Sequence, residues 1–152
     1  MKMLRTDILV RSPDGQDIAV VEVKNRKNLS RDIATIVRRN MLEYGLRSHA
    51  PYFLLLSQDT GFLWKGQATE NIDAPPSYEF PMEKVIARYS SGTDSKERLR
   101  GEYLELLFLQ WLFELSNIPQ RTDDEPEKSL ALSGFLGAIK GAAVISQAEL
   151  YL

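Results

Sequence analysis

Two acids and a lysine, Asp7, Glu22 and Lys24, fall where a β-hairpin would gather them. Leu4 to Arg11 and Asp17 to Asn25 are dense in Ile, Val and Leu, and Pro13-Asp14-Gly15-Gln16 between them is turn chemistry. Proline fixes φ there and glycine supplies a positive one. With those four residues as the loop, Ser12 faces Asp17, Val10 faces Ala19 and Asp7 lies directly opposite Glu22. Opposed carboxylates on one face of an antiparallel pair have β-carbons about 5 Å apart and repel unless something bridges them. A divalent cation is such a bridge. Strand alternation puts Lys24 on the same face beside Ile18 and Val20, while Ala19, Val21 and Val23 fill the other.

The elements that must hold this hairpin follow in order. Asn25-Arg26-Lys27-Asn28 is a polar loop, and Ser30 caps a helix from Arg31 to about Tyr44, with Gly45 as its stop. Ile33, Ile36, Val37, Met41 and Tyr44 recur at helical spacing and predict the face that packs on the sheet, leaving Arg31, Arg38 and Arg39 to solvent or phosphate. Tyr52-Phe53-Leu54-Leu55-Leu56 is a continuous apolar run, expected as a buried strand parallel to its neighbour across that helix. Phe62-Leu63-Trp64-Lys65 completes a β-β-α-β-β order by residue 65.

Asp7 followed by Glu22-Val23-Lys24 resembles the bipartite signature of the PD-(D/E)XK nuclease superfamily, which includes restriction endonucleases, junction resolvases and exonuclease domains of recombination helicases. Thr6 stands where that signature has proline. The resemblance implies that Asp7, Glu22 and the backbone carbonyl of Val23 bind Mg²⁺ or Mn²⁺, and that Lys24 orients the attacking water or stabilises charge. Asn40-Met41-Leu42-Glu43-Tyr44 is similar to a Gln-X-X-X-Tyr feature of the recombination exonucleases, with Asn40 in place of glutamine, which implies a supporting role for Asn40 and Tyr44. The superfamily core normally begins with a helix and a strand before the hairpin, and that helix often donates another acid. Only six residues precede Asp7 here. A permuted arrangement would supply the helix from Arg100-Gly101-Glu102-Tyr103-Leu104-Glu105-Leu106-Leu107, with Glu102 as the candidate acid.

Composition narrows the chemistry. The 152 residues are 43% hydrophobic and 26% charged, which suits one compact domain spanning 1–152, divided into a core over 1–65 and helices over 66–152. With no cysteine and one histidine, thiolate zinc sites are excluded and a carboxylate site for a hard cation is the metal chemistry left. His49 receives no role. Net charge is −2, yet Lys24, Arg26, Lys27, Arg31, Arg38, Arg39 and Arg47 stand against only Asp32 and Glu43 in that stretch, a local excess suited to DNA phosphates.

The opening Met-Lys-Met-Leu-Arg-Thr-Asp has no apolar core of signal-peptide length and no stretch reaches a membrane span, so a cytoplasmic location is expected. Gly66 to Pro81 reads as an irregular connection. A capping box at Asp94-Ser95-Lys96-Glu97 opens a helix to about Leu115 that is apolar nearly all round from Tyr103, to be buried against the domain or a second subunit; a homodimer is expected. Lys128 to about Leu150 reads as a last helix weakened by Gly134, Gly137 and Gly141. The expected protein is an α/β domain with a restriction endonuclease-like mixed sheet of four or five strands, acting as a metal-dependent deoxyribonuclease. A non-catalytic nucleic-acid or protein-binding module and a homo-oligomeric structural protein are the alternatives.

Overall fold

The structure is a computed structural model and describes residues 6–46, 48–90 and 101–147. In chain order the elements are β1 (Ile8–Arg11), β2 (Asp17–Val23), α1 (Arg31–Glu43), β3 (Tyr52–Leu56), β4 (Thr60–Lys65), a 3₁₀ turn (Gly66–Thr69), β5 (Tyr78–Pro81), α2 (Glu83–Tyr89), α3 (Gly101–Asn117), α4 (Glu127–Leu132), α5 (Phe135–Ala138) and β6 (Ala143–Ser146). The β-β-α-β-β order predicted over the first 65 residues is present. The strands form one six-stranded mixed sheet in the order β5-β4-β3-β2-β1-β6. Only β2 and β3 run parallel, joined through α1, and every other neighbouring pair is antiparallel.

The hairpin closes more tightly than the four-residue loop predicts. Gly15, at φ 88°, lets the chain turn inside Ser12 and Gln16, whose N–H groups donate to Gln16 O at 2.8 Å and to the Ser12 hydroxyl at 3.1 Å. The register Val10 with Ala19 is as expected, but it shifts after Val10, so Arg11 rather than Ser12 faces Asp17 and pairs with it at 3.1 Å.

Ser30 caps α1 by accepting the Ile33 N–H at 3.1 Å. Gly45 ends the helix at φ 111°, with Leu46 N–H returning to the Met41 carbonyl at 2.9 Å. The packed face differs from the expected one. Ala34, Arg38 and Met41 are buried, whereas Ile33, Ile36 and Tyr44 are exposed, Tyr44 at 77%. Arg38 wins the inner position because its guanidinium donates to Thr69 O at 2.6 Å and Asn71 O at 3.0 Å, and lies over the rings of Phe53 and Trp64.

The sheet separates two apolar layers. On one face Leu9, Val20, Phe53, Leu55, Phe62 and Trp64 pack under α1. On the other, Ile8, Val10, Val21, Leu54, Leu56 and Leu63 pack under α2 to α5, with Leu104, Phe108, Trp111 and Leu115 of α3 fully or nearly buried. The apolar helix therefore buries one broad face inside its own domain and leaves Leu106 and Phe113 outside. Its proposed capping box lies outside the described residues.

The C-terminal third corrects the expected long helix. Gly134 at φ 86° and Gly141 at φ 76° break it into α4, α5 and a strand. Ala-Val-Ile-Ser from 143 then has β-branched residues at its centre and pairs with β1. Within 66–81, expected to be irregular, Tyr78–Pro81 forms β5 on β4. Among the described residues no helix is long and apolar enough to cross a membrane.

Candidate metal centre

Asp7 sits one residue before β1, next to the pair Ile8 and Val21. Its N–H donates to the Val21 carbonyl at 3.1 Å. The Asp7 carboxylate reaches along β2 to accept the Val23 N–H at 2.8 Å, while the Asp7 carbonyl accepts the Gln147 N–H at 3.0 Å.

Glu22, the penultimate residue of β2, is 8% exposed and its carboxyl hydrogen-bonds the Asp7 carboxylate. Burial, the bond to Asp7 and its negative charge push the Glu22 pKa up to about 9, and Lys24 opposes the rise. Without a cation Glu22 therefore keeps its proton at neutral pH. The two acids meet, as the hairpin register expects.

Lys24 follows at the carboxyl end of β2, half-buried, with its N–H on the Leu56 carbonyl at 2.9 Å. The basic loop beyond it is fastened to the β3–β4 turn. Gln58 N–H donates to Arg26 O at 3.1 Å, Asn28 N–H to Asp59 Oδ2 at 2.9 Å, and the Gln58 side chain donates to Asn25. Arg26, Lys27 and Arg31 are exposed, Arg31 also reaching the Pro76 carbonyl at 2.6 Å, and Arg39 pairs with Asp73 at 3.4 Å. Arg38 is corrected: at 1% exposure, with its charge spent on backbone carbonyls and rings, it is a core residue and not a phosphate ligand.

Of the two acids at the start of α3, Glu105 rather than Glu102 is within electrostatic reach of the pair. Glu102 is exposed. Glu105 is half-buried, and its pKa is raised by burial and by the charge of Asp7. Helical phase distinguishes them: Glu105 shares a flank with buried Phe108 and Leu112, while Glu102 lies in line with exposed Leu106 and Phe113. That phase is legible once α3 is known to pack through Leu104, Phe108 and Trp111. Asn40 and Tyr44 are both exposed near the far end of α1, which begins beside the carboxyl end of β2 and runs about 20 Å back toward the start of β3. They are not brought to the carboxyl pair.

The donor set suits a small hard cation. Mg²⁺ is held in proteins by one or two carboxylates with several waters retained, and two carboxyls meet here. The Val23 carbonyl leaves the strand on the same edge as its N–H, toward Asp7. Among the described residues no three His, Cys, Asp or Glu side chains converge on one point. The pair lies at the carboxyl ends of the parallel strands β2 and β3, the usual place for ligands in such sheets. Clefts of about 310, 410 and 530 Å³ lie elsewhere and are lined by other residues. Compared with known proteins, the chain matches no family model, no curated protein and no solved structure.

Proposed function

We propose that the chain is a divalent-metal-dependent nuclease acting on DNA, with a permuted PD-(D/E)XK core in which α3 and β6 supply the helix and strand that ordinarily precede the hairpin. The observation that carries the reading is the Asp7–Glu22 carboxyl pair, with Glu22 protonated beside Lys24 at the carboxyl end of β2. Such a pair, with a third acid in electrostatic reach, exchanges a proton for a cation. Asp7, Glu22 and the Val23 carbonyl would hold Mg²⁺ or Mn²⁺, which when bound lowers the pKa of a coordinated water and neutralises non-bridging phosphate oxygens. The Val23 N–H keeps the Asp7 carboxylate aimed, and burial makes Glu22 a strong acceptor once deprotonated. Lys24 holds the attacking water or the developing charge, and exposed Arg26 and Lys27 take the flanking phosphates. A basic loop held in place by the β3–β4 turn suits a phosphate-bearing polymer.

The deciding assay incubates the protein with supercoiled, linear and branched DNA in Mg²⁺ or Mn²⁺, beside thermal melting with and without Mn²⁺. Cleavage with melting raised by Mn²⁺ is the expected outcome. Neither effect in the wild type, with carboxylate variants less stable than it, would make the acids structural partners. The exposed basic loop of Arg26 and Lys27 also suits a second reading, a DNA-binding module that does not cut. Salt-sensitive binding without cleavage would select it.

A further inference from the structure

The two edges of the sheet are not alike. β5 ends in Pro81 and carries exposed Glu79, both of which discourage another strand from adding. β6 reads Ala-Val-Ile-Ser, with neither proline nor charge, and among the described residues no strand pairs with its outer side. The bond from Gln147 N–H to Asp7 O, and the register Leu9 with Ile145, direct the backbone groups of residues 143, 145 and 147 toward β1. Those of Val144 and Ser146 consequently point outward, symmetrically about Ile145.

From this we propose that β6 is a dimerisation edge, and that its occupant is β6 of a second copy of this chain, antiparallel and centred on Ile145. The pattern is self-complementary. Val144 of each copy would exchange both backbone hydrogen bonds with Ser146 of the other, about four bonds in all, as an isologous two-fold contact requires. Ile145 meets its equivalent across the axis in a non-hydrogen-bonded pair, the closer of the two antiparallel arrangements. It lies beside Leu9 on the α1 side of the sheet and is only partly covered in one copy. The six-stranded sheet would thus run continuously through both copies.

The test measures mass by light scattering across micromolar to submillimolar concentration. Wild type is expected at twice the chain mass. Ser146→Pro removes an outward N–H and leaves the bonds to β1 intact, so it is expected at half the wild-type mass with its circular dichroism unchanged. In this cysteine-free chain, Ile145→Cys is expected to form a disulfide-linked dimer on oxidation, because α-carbons about 4.5 Å apart fall within bridging range. A monomeric wild type overturns the proposal, as does a folded Ser146→Pro that keeps the dimer mass. Should Ser146→Pro fail to fold, the Ile145→Cys cross-link decides: its absence in a dimeric protein moves the interface elsewhere.

Discussion

The Asp7 carboxylate accepts the Val23 backbone N–H at 2.8 Å, just before β1 begins its pairing with β2. This bond makes Asp7 both a structural and a chemical residue, and the two roles separate by substitution. Asp7→Asn keeps an acceptor for Val23 and is expected to leave metal-free stability within about 1 kcal/mol, while Asp7→Ala leaves the N–H unpaired and costs about 1–3 kcal/mol. Both should abolish Mg²⁺-dependent cleavage. Urea unfolding beside the DNA assay measures the two effects; an Asp7→Asn protein that still cuts would remove Asp7 from the metal centre.

Glu22 fixes a pH dependence. Its folded pKa of about 9 lies above the ordinary value of 4.5, so between those limits the folded chain binds a proton that the unfolded chain releases. The stabilising contribution is complete below about 4.5 and declines as pH rises toward about 9. Metal-free melting temperature should fall over that window. Glu22→Gln, neutral throughout, should flatten the fall. Mn²⁺ should stabilise the wild type more strongly at higher pH, because the cation displaces the Glu22 proton. Identical pH profiles for wild type and Glu22→Gln would contradict the raised pKa of Glu22.

Arg38 and the loop arginine and lysine should behave oppositely. Arg38→Ala removes a buried side chain that satisfies two carbonyls and covers two aromatic rings, and is expected to lose about 2–4 kcal/mol of stability. Replacing Arg26 and Lys27 with Ala should leave stability nearly unchanged. Each lost phosphate contact should reduce the slope of log K for DNA against log salt by about 0.9. Titrations at several salt concentrations check this, and an unchanged slope would return the loop to ordinary solvation.

Lys24→Ala should end cleavage while keeping the rise in melting temperature with Mn²⁺, since an ammonium is no metal ligand. Loss of both together would mean that Lys24 holds the carboxyl pair in place rather than serving the reaction.

The hairpin, α1 and β3 were legible because each follows from local rules: a turn sequence, a serine cap with a glycine stop, and an unbroken apolar run. The meeting of Asp7 and Glu22 was legible because the counted register holds from Ile8 to Val10, though counting could not reveal the shift after Val10 that brings Arg11 opposite Asp17. The inner face of α1 was illegible because Ile33, Ile36 and Tyr44 advertise the wrong stripe. Arg38 belongs inside only through carbonyls more than 30 residues away, at Thr69 and Asn71. Glu105 was within the stretch identified but was passed over for Glu102, whose phase relative to the buried leucines is outward. β6 was hidden because Gly134 to Ile145 is rich enough in helix formers to mask two glycines at positive φ, Gly134 and Gly141.

The pairing of β1 with β6 also sets the order in which the molecule can be completed. Ile8 waits for Ser146, and the Asp7 carbonyl for the Gln147 N–H. During synthesis the hairpin, α1, β3 and β4 can assemble early from near neighbours in sequence, but β1 remains a bare edge until nearly the whole described chain has left the ribosome. Asp7 gains its second neighbouring strand only then. A chain clipped before residue 143 would keep β1 and β2 but lack the strand that holds the Asp7 carbonyl, so trimming from that end should loosen the Asp7–Glu22 pair.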